Sequence, residues 1–291
     1  MAFVFPTRIE SRPVTVIGAG TLGRRIALMF ATRGGEVRIF DPNRAVAEQA
    51  VAYVAEHVGE VAATVEAGRP GTAVAHDDQA DAVADAWLVV EAVPEHLDLK
   101  KRVFADLDRQ AASDAILASN SSSYPTSRFV DGVTHTERVV NMHFYMPPKQ
   151  NAVDLMSDGR TDPDVLSFLK EELPKYGVFP FEAHKESTGF IFNRIWAAIK
   201  REALAVVAEG VSTPQDVDRM WQINMGLKAG PFRMMDQVGL DVVLDIENHY
   251  ATENPHLPEG PRTLLRSYVD AGHLGVKTGR GFYDDYPTPA A

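Results

Sequence analysis

Three glycines stand at fixed intervals between a short apolar run and a longer one in the segment VTVIGAGTLGRRIALMF, Val14 to Phe30. The first run is rich in β-branched residues, whereas the apolar residues of the second recur at helical spacing, which predicts a strand, a tight turn and a helix. Gly18 would allow the sharp reversal, Gly20 would let a ligand approach the main chain closely, and Gly23 would let the helix lie against the strand. Free N–H groups at such a helix start form a cradle for a diphosphate.

The glycine pattern alone does not separate a dinucleotide site from an ordinary glycine-rich turn. A second predicted strand, EVRIF, follows and leads directly into Asp41. This position lies within the usual distance of about 20 residues for a carboxylate that bonds an adenosine ribose. We therefore predict a dinucleotide site formed by the three glycines together with Thr21, Leu22 and Asp41.

Composition limits the classes of partner and compartment. The 291 residues are enough for two domains with a sizeable core. The net charge of -11 argues against a nucleic-acid partner, which would require a basic face, although a local pocket could still hold a small anion. The chain has no cysteine, which excludes disulfides and thiolate chemistry and fits a reducing compartment. No apolar run approaches the roughly 18 residues of a membrane span, and the start MAFVFPTRIE lacks the pattern of a secretion signal. These observations predict a cytoplasmic protein without a membrane partner.

Strand patterns alternate with helical patterns over the first half of the chain, which predicts a parallel sheet covered on both faces. AWLVVEAV, AILASN and RVVNMHF are typical of buried strands, and LDLKKRVFADLDRQ is typical of an amphipathic helix. Ligands of such sheets bind beyond the carboxyl ends of the strands. Polar residues at or just after these strand ends are therefore candidates for one crevice: Glu91, Asn120, Ser121, Ser122, Ser123 and His143.

From about Glu186 the pattern changes to helices. STGFIFNRIWAAIKREALAVVAEG has helical periodicity, with Ser187 as the expected N-cap and Gly210 near the expected end. No strand pattern returns before the end of the chain. We predict an α/β Rossmann-type N-terminal domain at 1–186 and an all-helical C-terminal domain for substrate binding and dimerisation at 187–291.

The residues around His143 do not by themselves define a reaction. FYMPP follows the histidine and carries no metal-ligand spacing, so no metal site is predicted. A lone histidine is more often structural than catalytic, and serine clusters such as SNSSS are common in loops. Either group would take part in chemistry only if it faced the reacting part of the cofactor.

Seven segments in order carry a resemblance that covers nearly the whole chain: VIGAGTLG, VVEAVPEHLDLKKRVFADLD, LASNSSS, RVVNMHFYMPP, STGFIFNRI, GPFRMMDQVGLD and GVKTGRGFYDD. Together they resemble the 3-hydroxyacyl-CoA dehydrogenase family, in particular 3-hydroxybutyryl-CoA dehydrogenases. The resemblance implies an NAD-binding Rossmann-type domain and a helical C-terminal domain that usually builds a homodimer. It also implies oxidation of a 3-hydroxyl to a ketone on a small-molecule substrate of fatty acid metabolism.

The resemblance also implies roles for individual residues. The family's catalytic histidine falls on His143, its substrate-binding serine on Ser122 and its active-site asparagine on Asn193. A histidine with a pKa near neutrality can take the hydroxyl proton, and the other two side chains can hydrogen-bond the oxygen whose charge changes. Further contacts to NAD are implied for Glu91, Ala92, Val93, Glu95, Lys100 and Asn120.

The family pairs its histidine with a glutamate twelve positions later, and that ungapped position is Leu155 here, with Asp154 beside it. A one-residue slip in a strand turns a side chain to the opposite face. Asp154 can therefore orient His143 only if the loop PPKQN is one residue shorter than in the family. The alternative is that Asp154 is a surface aspartate.

Two further departures concern the substrate. Met146 stands where the family usually has asparagine, and the segment from Asp41 to Arg69 holds Arg44 and Arg69 but no lysine, although acyl-CoA enzymes commonly offer lysines there.

The main prediction is an NAD-dependent 3-hydroxyacyl-CoA dehydrogenase-like oxidoreductase. A first alternative is a dehydrogenase of a free 3-hydroxy acid, similar to gulonate or carnitine dehydrogenases. A second is a non-catalytic NAD-binding module, which would have no need of Ser122, His143 and Asn193.

Overall fold

The computed structural model describes residues 3–287. The chain divides after Ile191 into two compact units. No helix among these residues is long and apolar enough to cross a membrane.

The first unit is built on one eight-stranded sheet with the order β3-β2-β1-β4-β5-β6-β7-β8. The strands are β1 (Val14–Ile17), β2 (Glu36–Phe40), β3 (Thr72–His76), β4 (Leu88–Glu91), β5 (Ile116–Ser119), β6 (Val139–Met146), β7 (Gln150–Met156) and β8 (Phe179–Ala183). The helices are α1 (Thr21–Phe30), α2 (Arg44–Ala62), α3 (Gln79–Val83), α4 (Leu97–Gln110) and α5 (Pro163–Glu172).

The sheet is parallel from β3 to β6, and β7 then pairs antiparallel with β6 through a short hairpin. β8 runs parallel to β7 at the edge. Two apolar clusters lie on opposite faces of the sheet, one including residues of α1, α2 and α5, the other residues of α4. The strands β1, β4 and β5 are fully buried because helices cover both faces, and this confirms the predicted Rossmann-type layer.

The second unit is helical, and between Phe192 and residue 287 the structure has helices and turns but no β-strand. Its helices are α6 (Phe192–Ala208), α7 (Pro214–Met225), α8 (Pro231–Val238), α9 (Leu240–Glu253) and α10 (Gly260–Asp270). They enclose a core that includes Leu204, Phe232 and Leu265. This confirms the predicted helical class of the C-terminal part.

The expected start of the first C-terminal helix at Ser187 is wrong, because α6 begins at Phe192. Gly189 and Phe190 have φ angles of +74° and +52°. These are left-handed conformations, which a right-handed helix cannot include. The helical periodicity of the sequence therefore includes residues that form a turn in the structure and are not helical.

Candidate active site

The glycine-rich turn between β1 and α1 packs against the end of β4. Gly18 has a φ of +97°, and a Cβ there would lie 2.6 Å from the carbonyl oxygen of Ala92 and 2.9 Å from the nitrogen of Val93. A Cβ at Gly23 would lie 1.9 Å from the carbonyl oxygen of Gly18. Both positions require glycine, the first for the reversal of the chain and the second for the close approach of helix to strand.

Open space lies at the same turn, where a ligand would approach. A Cβ at Gly20 would meet no atom within 4 Å. α1 begins at Thr21, and no side chain caps its first N–H groups, which leaves them to bind an anion. The turn, which continues into Leu22, therefore fits the diphosphate of a dinucleotide.

Asp41 follows the carboxyl end of β2 and faces the glycine-rich turn. Its carboxylate accepts hydrogen bonds from the main-chain N–H groups of Ala19 and Asn43, both at 2.9 Å. These bonds hold the carboxylate at the position from which it can accept a ribose hydroxyl. Arg44 is engaged elsewhere, since its guanidinium contacts Glu48 at 2.9 Å and Asp77 at 2.8 Å.

A buried ion pair lies behind the loop that follows β4. The Lys100 ammonium contacts the two carboxylate oxygens of Glu91 at 2.8 and 3.1 Å, and the two side chains are 1% and 0% exposed. Glu91 also accepts a bond from the Ser119 hydroxyl at 2.6 Å and from the Val93 N–H at 2.9 Å. Because both side chains are closed off from solvent, this pair holds the loop in place, and direct contact of either side chain with NAD stays a prediction.

Glu95 connects the ion pair to the serine cluster after β5. Its carboxylate lies 3.1 Å from the Lys100 ammonium, and it accepts bonds from the Ser121 hydroxyl and, at 3.0 Å, from the Ser123 N–H. Ser121 is buried by these contacts. Ser122 is exposed, and its hydroxyl lies 3.5 Å from that of Ser123. Ser121 is thus held by contacts within the protein, whereas the contact of the exposed Ser122 with a substrate stays a prediction.

The register of the β6–β7 hairpin decides which residue faces His143. Asp154 is the direct cross-strand partner of His143, and the register shifts by one residue in the bulge between Phe144 and Met146. Directly opposite residues of an antiparallel pair share one face of the sheet, so Leu155 points to the other face. The register therefore places Asp154 beside His143 and excludes the surface position, whereas a loop one residue shorter than in the family stays a prediction.

His143 and Asp154 form a buried pair. The Nδ1 atom of His143 lies 3.2 Å from the Oδ2 atom of Asp154, and the two residues are 5% and 3% exposed. A carboxylate in this position orients the imidazole and stabilises its protonated form. The Nε2 atom of the ring is then the atom available for proton exchange with a substrate.

Two aromatic residues that the sequence did not single out surround the His143 ring. Phe190 stacks on it with ring centroids 5.0 Å apart and an interplanar angle of 10°, and Tyr145 makes an edge contact at 4.7 Å. The Tyr145 hydroxyl also donates a hydrogen bond of 2.5 Å to Asp154 Oδ2. Tyr145 could have been found from alternation along the strand, since residues two apart share a face. Phe190 gave no such signal.

Two predicted amides lie in different units. Asn120 follows β5, and its side-chain oxygen accepts a 2.8 Å bond from the N–H of Phe144, next to His143. Asn193 is half-buried in the first turn of α6 in the second unit. The first unit therefore brings together His143, Asp154 and Asn120 on adjacent strands, and the active-site role of Asn193 stays a prediction.

Comparisons with known proteins identify the family of both parts of the chain. The family model described as 3-hydroxyacyl-CoA dehydrogenase, NAD binding domain, matches residues 13–186. The model described as 3-hydroxyacyl-CoA dehydrogenase, C-terminal domain, matches residues 189–285.

Individual relatives cover nearly the full chain. A probable 3-hydroxybutyryl-CoA dehydrogenase of Bacillus subtilis is 30% identical over 282 residues, covering 95% of this chain and 98% of the relative. The 5-formyl-3-hydroxy-2-methylpyridine 4-carboxylate 5-dehydrogenase of Mesorhizobium japonicum is 29% identical over 279 residues, covering 94% and 90%. The crystal structure of (S)-3-hydroxybutyryl-CoA dehydrogenase from Ralstonia eutropha is similar with a TM-score of 0.83 and 28% identity, covering 96% of this chain and 100% of that one.

Proposed function

Since the chain belongs to the 3-hydroxyacyl-CoA dehydrogenase family, we propose that it interconverts a 3-hydroxyacyl and a 3-ketoacyl compound at the His143–Asp154 pair. The chain is an NAD-dependent oxidoreductase that acts on a CH–OH group, and NAD is its cofactor. The observation that carries the proposal is the 3.2 Å contact between His143 Nδ1 and Asp154 Oδ2.

The proposed mechanism assigns proton transfer to His143. NAD held at the glycine-rich turn and Asp41 would supply the hydride acceptor for the carbon that bears the hydroxyl. His143 Nε2 takes the hydroxyl proton, and Asp154 stabilises the imidazolium that forms. Ser122 and Asn193 hydrogen-bond the oxygen whose charge changes. In the reverse direction the imidazolium returns the proton to the oxygen of the ketone.

The position of Asp41 supports NAD over NADP. Its carboxylate would accept bonds from the ribose hydroxyls and repel a 2′-phosphate. Arg44 does not offset this repulsion, because it is held by Glu48 and Asp77. We expect NADH to bind more tightly than NADPH in a fluorescence titration of the purified protein. Equal or tighter NADPH binding would contradict this role of Asp41.

Charged residues near the turn support a substrate that carries an anionic group. Arg24 and Arg25 follow the glycine-rich turn directly, and within residues 3–287 neither forms an ion pair. Their guanidinium carbons lie 4.8 and 5.8 Å from the ring centroid of Tyr53 on α2. Arg25 also donates a 3.0 Å bond to the carbonyl oxygen of Pro147, four residues after His143. An arginine pair without acidic partners is suited to a carboxylate or a phosphate.

A free 3-hydroxy acid is the second candidate substrate. α2 contains no lysine and carries Glu48, Glu56 and Glu60, which would raise the cost of bringing several phosphates near. Lys200 cannot supply the missing charge at the surface, because it is only 4% exposed. The name of the Mesorhizobium relative contains a free carboxylate and no CoA.

Steady-state kinetics tests these candidates. kcat/KM is measured by NADH oxidation for a 3-ketoacyl-CoA series, the matching free acids and short thioesters. A micromolar KM within the CoA series would establish the thioester and exclude the free acid as the preferred substrate. Higher kcat/KM for the free acids would establish the opposite. Absence of turnover with every 3-keto compound, despite NADH binding, would contradict the proposed function and favour the non-catalytic module.

The same proposal includes a homodimer that forms through the second unit and works in the cytoplasm. Large apolar side chains are exposed on α7 at Met220, Ile223 and Met225, where a partner surface would cover them. Ile223→Lys should then shift the mass measured by light scattering from dimer to monomer, whereas Val211→Lys, in the loop before α7, should not. A wild-type protein that is monomeric at micromolar concentration would contradict the dimer. The chain without cysteine fits the reducing cytoplasm.

A further inference from the structure

We propose that Tyr145 is a positioning residue that acts on His143 through Asp154. This inference rests on the proposed function, because it assigns the proton transfer to His143. The structure joins the three side chains at one atom: Asp154 Oδ2 receives the Tyr145 hydroxyl at 2.5 Å and lies 3.2 Å from His143 Nδ1.

The backbone explains why the three side chains meet. His143 and Tyr145 are two residues apart on β6, so they point to the same face of the sheet. Asp154 is directly opposite His143 on β7. The bulge lies between Phe144 and Met146, so the register changes at Tyr145 itself. A bulge re-aims a side chain locally, and here the phenol reaches back to the carboxylate beside the histidine.

The chemistry gives the phenol two effects. A carboxylate held only by His143 could rotate about its last torsion, because such torsions have broad minima. The second hydrogen bond from Tyr145 fixes the oxygen that faces Nδ1. The same bond stabilises the charge of Asp154, and this weakens the attraction of the carboxylate for the imidazolium. Tyr145 therefore sets both the orientation of the imidazole and the strength with which Asp154 stabilises its protonated form.

The neighbouring strands place uncharged residues beside this pair. Next to β6, β5 contributes the uncharged Ser119, followed by Asn120, and on β8 the partner of Asp154 is Phe181. Glu182, one residue further on β8, is bound by Lys170 and His184. Among the described residues, the charged side chains on elements that adjoin β6 include Arg25 on α1, which donates to the carbonyl oxygen of Pro147, the exposed Arg128 after β5 and the exposed Lys149 of the hairpin.

The first test is Tyr145→Phe, which keeps the ring and removes the hydroxyl. We expect kcat for oxidation to fall about tenfold, as for loss of one hydrogen bond to a charged group, with little change in KM. We also expect the acid limb of the kcat/KM profile to move to higher pH, because Asp154 then attracts the imidazolium more strongly. Tyr176→Phe is the matched control: Tyr176 packs on Phe30, and neither belongs to the proposed catalytic or binding groups.

A double-mutant cycle with Asp154→Asn tests whether Tyr145 acts through the carboxylate. We expect Tyr145→Phe to have little further effect on kcat or on the pH profile in the Asp154→Asn background, because the coupled group has gone. Equal effects in both backgrounds would overturn the proposal by showing that Tyr145 acts independently of Asp154. A Tyr145→Phe protein with unchanged kcat and an unchanged acid limb would also overturn it. Either result would contradict the role of Tyr145 without contradicting the proposed function. Normal turnover of a His143→Ala enzyme, by contrast, would contradict the proposed function, because it assigns proton transfer to His143.

Discussion

Two buried acid–base pairs lie on the same sheet and differ in what they can do. Glu91 at the end of β4 binds Lys100, and Asp154 on β7 binds His143 on β6. All four residues are at most 5% exposed. Burial is therefore common to both pairs and cannot explain why one of them is suited to catalysis.

The pairs differ in the number of bonds and in the chemistry of the cation. Glu91 receives two contacts from Lys100, one from Ser119 and one from the main chain of Val93. This network leaves both charges compensated, and an ordinary lysine does not titrate near neutral pH. Histidine is the side chain best suited to exchange a proton with a substrate, and the contact with Asp154 through Nδ1 leaves Nε2 of His143 for this exchange. The catalytic pair thus has an exchangeable proton and a ring nitrogen that is still available to a substrate. In the structural pair, by contrast, the charges are compensated by bonds within the protein.

The largest effect is expected for a substitution that removes the histidine of the catalytic pair. His143→Ala should lower the chemical rate by about 10²- to 10⁴-fold, because the general base is lost. NADH binding should remain close to that of the wild type, since His143 is not among the proposed NADH contacts, which are at the glycine-rich turn, at Asp41 and in the segments that follow β4 and β5. Single-turnover kinetics and NADH fluorescence measure the two quantities separately. Near-normal turnover on the preferred substrate would show that His143 is not the base.

The second prediction breaks the structural pair. Glu91→Gln should lower the free energy of unfolding by about 3 kcal/mol, because it removes the buried carboxylate that faces the Lys100 ammonium and leaves only the partly exposed Glu95 beside it. The double variant Glu91→Gln/Lys100→Met should recover part of this loss, since it also removes the buried ammonium group. Chemical denaturation of the three proteins provides the measurement. If Glu91→Gln unfolds at the same denaturant concentration as the wild type, the pair does not hold the loop as we infer.

The smallest of the three effects is expected for a substitution of Asp154, which separates the role of the carboxylate from that of the histidine in the catalytic pair. Asp154→Asn should lower kcat about 10- to 100-fold, less than loss of the histidine, because the imidazole remains but its protonated form is less stabilised. The variant should unfold at nearly the wild-type denaturant concentration, in contrast to Glu91→Gln. An unchanged kcat in Asp154→Asn would show that the carboxylate of Asp154 does not contribute to catalysis.

Local patterns were sufficient for most of the architecture. The glycine spacing predicted the turn at Gly18, and the structure confirms the strand, turn and helix around it. Alternation of strand and helix patterns predicted the sheet layer, because a strand buried on both faces requires a continuous apolar run. The start of α6 was mispredicted, since periodicity records which side chains are apolar but not the left-handed backbone at Gly189 and Phe190.

The sequence by itself determined the order of the elements, the glycine-rich turn, the candidate His143 and the candidate partner Asp154, with a surface aspartate as the alternative. The tertiary structure decided that Asp154 rather than Leu155 faces the histidine, because the hairpin length and the bulge set the register of β6 and β7. It also brought Phe190, 47 residues distant in the chain, onto the imidazole ring, and it placed the Tyr145 hydroxyl on Asp154. Register and long-range contacts depend on how strands pair and pack, and no local pattern of residue types specifies them.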